Sequence, residues 1–192
     1  TYTYWIVEVE PTVPETGMTY DPMVIEVTVA VTDAGNGVLV ATPTYPADTI
    51  FNNSYTASGN VVLEADKALA GRTLTAGEFS FQLKQGTTVL QTKTNALDGS
   101  ITFDAIPYTQ ADIGQTYTYT IVEVAGSETG MTYDGMVLEV TVAVTDAGNG
   151  VLVATPTYPA DVVFNNTYRA SGNVVLEADK ALAGRGLAAG EF

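Results

Sequence analysis

The 192-residue chain contains no cysteine and no histidine. Disulfide bonds are therefore impossible, and so are Ser-His-Asp triads, cysteine nucleophiles and the common zinc and iron–sulfur sites, which need one residue or the other. We accordingly expect no metal and no cofactor. Long apolar runs are also missing. A helix that crosses a membrane needs about 18 consecutive apolar residues, and the sequence contains no such stretch. No basic segment followed by an apolar one opens the sequence as a secretion signal would.

Positive charge is scarce. Seven Lys and Arg residues stand against 22 Asp and Glu residues, so the formal net charge is −15, and only 15% of the chain is charged. Such a chain repels phosphate backbones and anionic membrane surfaces, and seven scattered cations cannot form the basic patch that binding would need. We therefore expect neither nucleic-acid binding nor membrane insertion. A chain rich in Thr, Val and Tyr but free of Cys is typical of exported bacterial surface proteins, although a cytoplasmic protein could have the same composition.

The most informative feature of the sequence is an internal repeat. Residues 18–79 return as residues 131–192, 113 positions later, with eight differences among 62 positions. Upstream, TYTYWIVEVE at 1–10 returns as TYTYTIVEVA at 116–125. A period of this length is too long for a solenoid repeat and is typical of a self-contained domain. Such close identity between neighbours indicates a tandem array.

Domain boundaries are predicted from the small, polar segment TASGN at 56–60, which recurs as RASGN at 169–173. Segments of this composition are typical of turns and linkers. We therefore expect one complete domain at 58–168. Residues 1–55 would be the C-terminal part of a preceding repeat, and residues 171–192 the N-terminal strand region of a following one.

The apolar residues alternate with a period of two, which predicts β-strands. In MVIEVTVAVT at 23–32, every second residue from Met23 to Val31 is apolar, and the following DAGNG contains the Asn and Gly that tolerate positive φ in a hairpin turn. Strands recur at roughly ten-residue spacing with turns between them, and no segment has helical periodicity. The predicted fold is all-β, an immunoglobulin-like sandwich.

Three polar residues occupy positions where this alternation predicts an apolar side chain: Lys67, Glu123 and Asn166. Burial disfavours the charged forms of lysine and glutamate and therefore shifts both toward neutrality. A neutral amine is a nucleophile, and a neutral carboxylic acid beside an asparagine can donate a hydrogen bond to the amide oxygen and pass protons to departing ammonia. If the three side chains meet, the product is a Lys67–Asn166 isopeptide bond, formed once and without a cofactor.

The residues alone leave other interpretations open. Lys67 could be a surface residue on a bulged strand, because a shift of one residue reverses the facing of every side chain, or it could form a buried ion pair without any covalent bond. Glu123 could face solvent at a sheet edge, since Val122 and Val124 beside it are also apolar. Asn165 is the alternative to Asn166, because asparagines at strand ends are often turn residues.

Four segments together resemble the streptococcal-type (Gram-positive) pilin isopeptide domain, which occurs in the shafts of pili and related surface proteins. They are DKALAGRTLTAGEFSFQL at 66–83, YTYTIVEV at 117–124, GMTYDGMVLEVTVAV at 130–144 and FNNTY at 164–168. The resemblance implies a pilin-type β-sandwich in which the lysine of the first segment bonds to an asparagine of the last, with the glutamate of YTYTIVEV as proton relay. By position these residues are Lys67, Asn166 and Glu123.

The partial repeats carry matching pieces of the same site. Glu8, as the equivalent proton relay, and Asn53 take the glutamate and asparagine positions of the preceding repeat, and Lys180 takes the lysine position of the following one. We expect the lysine partner of Asn53 and the asparagine partner of Lys180 to lie outside this sequence.

These observations predict structural shaft or stalk domains of a bacterial surface fibre, pilus or long repetitive adhesin, stabilised mechanically by autocatalytic isopeptide bonds. The chain is not expected to be a turnover enzyme, because the only chemistry proposed consumes its own side chains. Its expected partners are further copies of the same repeat, in an extracellular location at the surface or in a fibre of a bacterium. The alternative is an adhesin module that binds a host protein or glycan through its loops.

Overall fold

The computed structural model describes residues 1 to 192, and it confirms the all-β fold. It has sixteen strands, and its one helical element is a three-residue 3-10 turn at Gln110–Asp112. The structure therefore contains no helix that could cross a membrane. The strands are β1 (Tyr2–Val7), β2 (Met18–Thr19), β3 (Val24–Gly35), β4 (Val38–Thr44), β5 (Ser54–Tyr55), β6 (Ser58–Val61), β7 (Glu64–Ala70), β8 (Ser80–Gln85), β9 (Thr88–Thr94), β10 (Ser100–Thr102), β11 (Ile106–Thr109), β12 (Thr116–Val124), β13 (Met131–Thr132), β14 (Val137–Asp146), β15 (Leu152–Thr157) and β16 (Val163–Tyr168).

Residues 58–168, called the central segment below, form two main sheets. The larger sheet has five antiparallel strands in the order β15-β14-β12-β8-β9. The smaller sheet has the order β10-β7-β16-β13, and its middle pair, β7 with β16, is parallel. Strands β6 and β11 form a separate two-stranded ribbon. The β7–β16 pairing therefore joins a strand near the beginning of the central segment to its last strand.

The inward faces of the two sheets enclose an apolar core, as in other β-sandwiches. Completely buried side chains come from both sheets and include Leu63, Phe81, Leu83, Ile101, Ile121, Val140, Val142 and Phe164. Three residues that are buried as a whole, backbone included, are polar: Lys67, Asn95 and Asn166. The Asn95 side chain hydrogen-bonds only backbone groups, so it closes a loop at the edge of the core. Lys67 and Asn166 belong to a different arrangement, described below.

Residues 1–55, called the first segment, repeat part of this architecture. Strands β1, β3 and β4 form an antiparallel sheet in the order β1-β3-β4, and β2 pairs with β5. These strands are the sequence copies of β12, β14 and β15 and of β13 and β16. Residues 1–55 contain no copies of β6 to β11, and in the structure the inner face of β1 is uncovered. Tyr4 is 54% exposed, whereas its copy Tyr119 is 3% exposed.

Residues 171–192, called the last segment, contain no strand. Yet residues 172–185 are identical to residues 59–72, which include most of β6 and all of β7. Leu63 is completely buried, and its copy Leu176 is 87% exposed. The difference lies in the neighbours, because β7 is hydrogen-bonded on both sides, to β10 and β16. An isolated strand has unpaired backbone groups and no apolar surface to pack on, so it is not stable alone.

The hairpin predicted from DAGNG is confirmed in both copies. Asn36 and Gly37, between β3 and β4, have φ of 55° and 76°, and Asn149 and Gly150, between β14 and β15, have φ of 56° and 75°. Two successive residues with positive φ form the turn that matches the twist of a hairpin, which explains the Asn-Gly pair.

Candidate functional site

Lys67 lies in the middle of β7 and points between the two sheets, with 4% of the residue exposed. The parallel register places Phe164 of β16 opposite Lys67, and Asn166 opposite Leu69. Because successive side chains on a strand alternate in facing, Lys67 and Asn166 lie on the same inner face of adjacent strands. Neither residue could be placed beside the other from local sequence, because 99 positions separate them.

Glu123 reaches the same point from the opposite sheet, where it is paired with Phe81 of β8. Its Oε2 accepts a hydrogen bond from Lys67 Nζ at 3.0 Å, and its Oε1 accepts one from Asn166 Nδ2 at 2.6 Å. The side chains of Lys67 and Glu123 are both completely buried. The structure thus brings together the three residues that the sequence analysis selected, with the carboxylate between the amine and the carboxamide.

The amide oxygen of Asn166 is held by the backbone. Asn166 Oδ1 accepts a hydrogen bond from the Asp134 N–H at 2.8 Å. Because a backbone N–H can only donate, this contact identifies the oxygen and leaves Nδ2 facing Glu123. The sequence analysis expected Glu123 to donate to the amide oxygen. In the structure Glu123 is instead next to the nitrogen, the atom that would depart as ammonia.

Asp134 lies in the loop between β13 and β14, and its side chain fastens this loop to β16. Its Oδ2 accepts from the Asn165 N–H at 2.7 Å, and its Oδ1 accepts from the Met136 N–H at 2.9 Å. Asp134 was not selected from the sequence. The repeat contained a usable signal, because Asp21 occupies the same position in MTYDPM as Asp134 does in MTYDGM.

Burial lowers the pKa of the Lys67 ammonium below its ordinary value of 10.5, while the hydrogen bond and charge of Glu123 act in the opposite direction. The amine also lies over the Phe79 ring, 4.6 Å from its centroid. An apolar, enclosed environment favours the neutral amine because it cannot solvate the charge. Burial in this site therefore makes it easier for Lys67 to lose a proton and become the nucleophilic amine.

Asn165, the alternative to Asn166, points away from this site. Its residue is exposed, and its Nδ2 donates to the Val163 carbonyl at 2.9 Å. The facing follows from strand alternation along β16, in which Phe164 and Asn166 are buried and Asn165 is not.

The first segment holds the same arrangement without its lysine. Asn53 Nδ2 donates to Glu8 Oε1 at 2.6 Å, and the Asp21 N–H donates to Asn53 Oδ1 at 2.9 Å. Glu8 Oε2, the copy of the oxygen that binds Lys67, is buried and has no hydrogen-bond partner. The glutamate, the asparagine and the loop therefore adopt their positions without a lysine in contact.

Lys180 lies far from both glutamates in sequence and contacts neither. Its Nζ is 4.9 Å from the centroid of the Phe192 ring, which repeats the contact between Lys67 and Phe79. Residue 180 is exposed, because the last segment has no sheet to join.

The arrangement can carry out an amide exchange within the chain. It holds a nucleophile of lowered pKa, a carboxylate that contacts both reacting nitrogens, and a backbone donor at the carbonyl oxygen. No group of three or more metal-ligating side chains is gathered anywhere in the structure.

An all-β sandwich that encloses a lysine, a glutamate and an asparagine in direct contact defines the class of isopeptide-forming β-domains. Comparison with known families gives the family itself. The Spy0128-like isopeptide-containing domain, FctA, matches the chain twice, over residues 1–56 and over residues 63–169. The chain therefore belongs to this family, whose role is structural, in a pilus or fibre at the cell surface with other pilin subunits. No curated protein matches the chain.

Proposed function

We propose that residues 58–168 are a complete shaft domain of a bacterial surface fibre, locked by an autocatalytic isopeptide bond between Lys67 and Asn166. The observation that carries this proposal is the position of Glu123, whose two carboxylate oxygens contact the two nitrogens that must exchange. A plain buried ion pair would need the lysine contact only.

The reaction begins with proton transfer from Lys67 Nζ to Glu123 Oε2 along their 3.0 Å hydrogen bond. The neutral amine attacks Cγ of Asn166, and the charge that develops on Oδ1 is stabilised by the Asp134 N–H. Glu123 then donates a proton to Nδ2, which is 2.6 Å from Oε1. Glu123 acts as the proton relay throughout.

The exchange balances without any co-reactant. The Nζ–Cγ bond forms, the Cγ–Nδ2 bond breaks, and Nδ2 leaves as ammonia. Of the two protons that the ammonium form of Lys67 loses, one departs with ammonia and the other remains on Glu123. The reaction consumes both side chains, so each domain reacts once.

The bond would close a loop that contains nearly the whole central segment. By analogy with disulfides, a loop of this size contributes roughly 4 to 5 kcal/mol through the lost entropy of the unfolded chain. Its mechanical effect follows from the pairing of β7 with β16, which lie near the two ends of the domain. Tension applied at those ends passes through the crosslink, so the core is not pulled apart.

The partial repeats fit the same proposal. Glu8 and Asn53 would receive a lysine from a preceding repeat, and Lys180 would react within a following one. The buried, unpartnered oxygen of Glu8 supports this proposal, because it occupies the lysine-binding position. The chain as given should therefore form one bond, in residues 58–168.

Intact-mass measurement of the purified chain tests the proposal. We expect a mass lower than the calculated one by one molecule of ammonia. Lys67→Ala and Asn166→Ala should restore the full mass, whereas Asn165→Ala, which changes the neighbouring exposed asparagine, should not. Glu123→Ala should fold and remain unlinked.

Two results would contradict the proposal. Full calculated mass in the unmodified chain would show that no bond forms. Normal crosslinking in Glu123→Ala would show that the assigned proton relay is wrong.

A further inference from the structure

The boundary between the first and central segments is closed by a tyrosine. The Tyr55 hydroxyl accepts a hydrogen bond from the Gly150 N–H at 2.9 Å and donates one to Asp146 Oδ1 at 3.2 Å. Gly150 belongs to the hairpin turn between β14 and β15, and Asp146 ends β14. A side chain at the end of one segment thus bonds the tip of a hairpin in the next.

Backbone hydrogen bonds continue the same contact. The Thr56 N–H donates to the Gly17 carbonyl at 2.9 Å, and the Ser58 N–H donates to the Gly150 carbonyl at 3.1 Å. Ser58 also forms a parallel bridge with Val151. Gly150 therefore binds Tyr55, at the end of the first segment, through its N–H, and Ser58, at the start of the central segment, through its carbonyl.

The two segments approach too closely at this point for side chains to lie between them. A Cβ on Gly17 would lie 2.9 Å from Gly150 Cα and would overlap the Thr56 carbonyl oxygen. Ala57, inside the segment that joins the two parts, is 6% exposed. Residues 58–61 are strand β6, hydrogen-bonded to β11, and so form part of the sandwich. The peptide between the two parts has little freedom to bend.

The residues of this contact recur at the offset of 113 positions, except that Thr56 is replaced by Arg169. Tyr55 corresponds to Tyr168, and Gly17 to Gly130, so the central segment carries the tyrosine side of the contact at its end. Asp146 and Gly150 correspond to Asp33 and Gly37, so the first segment carries the hairpin side. A Cβ on Gly37 would meet nothing within 4 Å, and the Tyr168 ring lies beside Arg72, whose guanidinium carbon is 5.0 Å from the ring centroid.

We propose that this contact is a head-to-tail interface by which each repeat binds the next copy of itself at one fixed rotation. Tyr168 would bind the copy of the β14–β15 hairpin in a following repeat. The Asp33–Gly37 hairpin would bind the copy of Tyr55 in a preceding repeat. An interface between unlike surfaces of identical units builds an open filament wherever its rotation does not close a ring, so we expect a tandem array joined in this way to be an extended rod. The interface goes beyond the proposed crosslink, since it acts between domains while the crosslink acts within one.

Distance measurement between two spin labels tests the interface. The chain has no cysteine, so Thr42→Cys and Thr92→Cys place one label on each side of the junction at exposed positions. Pulsed electron resonance should give one narrow distance distribution. Combining Tyr55→Phe with Asp146→Ala should remove the narrow peak and give a broad distribution.

The repeat supplies matched controls. Tyr168→Phe with Asp33→Ala makes the same chemical changes in the copies, and Asp33 caps its turn through the Gly35 N–H at 2.8 Å as Asp146 does through the Gly148 N–H at 2.8 Å. A second pair is Gly150→Ala and Gly37→Ala. Both place a side chain at the same positive-φ position of turns with the same sequence, but only Gly150 lies against Gly17 and Thr56 at the junction. The narrow peak should persist in both controls.

A broad distribution in the unmodified chain would overturn the proposal, and so would equal broadening in junction variants and their controls. Intact mass separates this test from that of the crosslink. The junction variants should still lose one ammonia, because Lys67, Glu123 and Asn166 lie away from the junction.

Discussion

At the scale of single residues, the site depends on which atom of Asn166 faces which neighbour. Oδ1 is held by the Asp134 N–H and Nδ2 by Glu123. In the proposed reaction this orientation would separate two tasks that the sequence analysis had assigned to Glu123 together: stabilising the oxygen and protonating the leaving nitrogen. Strand alternation selected Lys67, Glu123 and Asn166, whose side chains the structure places in contact. It could not identify a backbone donor, because any residue supplies an N–H and only the folded loop brings one into position.

Removing the Asp134 side chain should slow crosslinking without abolishing it. Asp134→Ala loses the two hydrogen bonds that fasten the loop to Asn165 and Met136, so the N–H at residue 134 is less well placed. Misplacement of a catalytic group by about 1 Å can cost about 100-fold in rate. The rate of ammonia loss after refolding, followed by mass spectrometry, measures the effect.

Asp161→Ala is the matched control for this variant. Asp161 caps the exposed Val163 N–H at 3.0 Å in a similar local turn and does not touch the site. Its rate should equal that of the unmodified chain. Equal rates in both variants would show that the loop needs no support from the Asp134 carboxylate.

The lowered pKa of Lys67 makes a separate prediction about pH and stability. In an unlinked Glu123→Gln, Asn166→Ala background, burial still lowers the pKa of Lys67 in the folded state, whereas the unfolded value stays near 10.5. Between these two values the unfolded chain binds more protons than the folded one, so the free energy of unfolding rises with pH and falls as pH decreases.

The comparison adds Lys67→Met to the same background. Chemical denaturation measures the free energy of unfolding of both variants across the alkaline range. Relative to the methionine variant, the free energy of unfolding of the lysine variant should rise as pH approaches 10.5. If the free energies of unfolding of the two variants changed with pH in parallel, Lys67 would be solvated when unlinked.

At the scale of strands, one sequence adopts two states in this chain. Residues 59–72 form β-structure inside the central segment, and the identical residues 172–185 form none. Alternation therefore predicts where a strand can form, and the presence of hydrogen-bonding neighbours decides whether it does. The parallel pairing of β7 with β16 is likewise a tertiary result, because no local turn relates two strands so far apart in sequence.

Hydrogen exchange should separate the two copies. We expect slow amide exchange in Glu64–Ala70, where β7 is bonded to β10 and β16, and exchange at nearly unprotected rates in residues 177–183. The physical reason is that exchange of β7 amides requires opening of the sandwich. NMR is the suitable measurement, since peptides from the two copies have the same mass. Equal protection would contradict the unpaired state of the last segment.

At the scale of the whole molecule, the proposed crosslink would act within a domain and the proposed interface between domains. The proposed bond would carry tension within a domain, and the Tyr55 contact would fix the angle between domains. A fibre built this way resists both extension and bending. The two properties depend on different residues and can be removed separately.

Single-molecule stretching should show the effect of the crosslink directly. The unmodified chain should not release residues between Lys67 and Asn166 at any force below covalent rupture. Asn166→Ala should release them, and each released residue should add up to about 3.3–3.6 Å of contour length. Asn165→Ala should behave as the unmodified chain does. Release in the unmodified chain would mean that the load is not carried by the bond.

The sequence by itself determined the β-class of the protein and its repeat, because these follow from side-chain alternation and self-similarity. It selected Lys67, Glu123 and Asn166 as candidates but left their facing open, because a shift of one residue reverses every side chain. Only the tertiary structure decided the β7–β16 pairing, the donor at the amide oxygen, the unpaired state of the last segment and the closed junction at Tyr55. Each of these depends on backbone groups from segments far apart in the chain, and a backbone N–H or carbonyl leaves no mark on the identity of the residue that carries it.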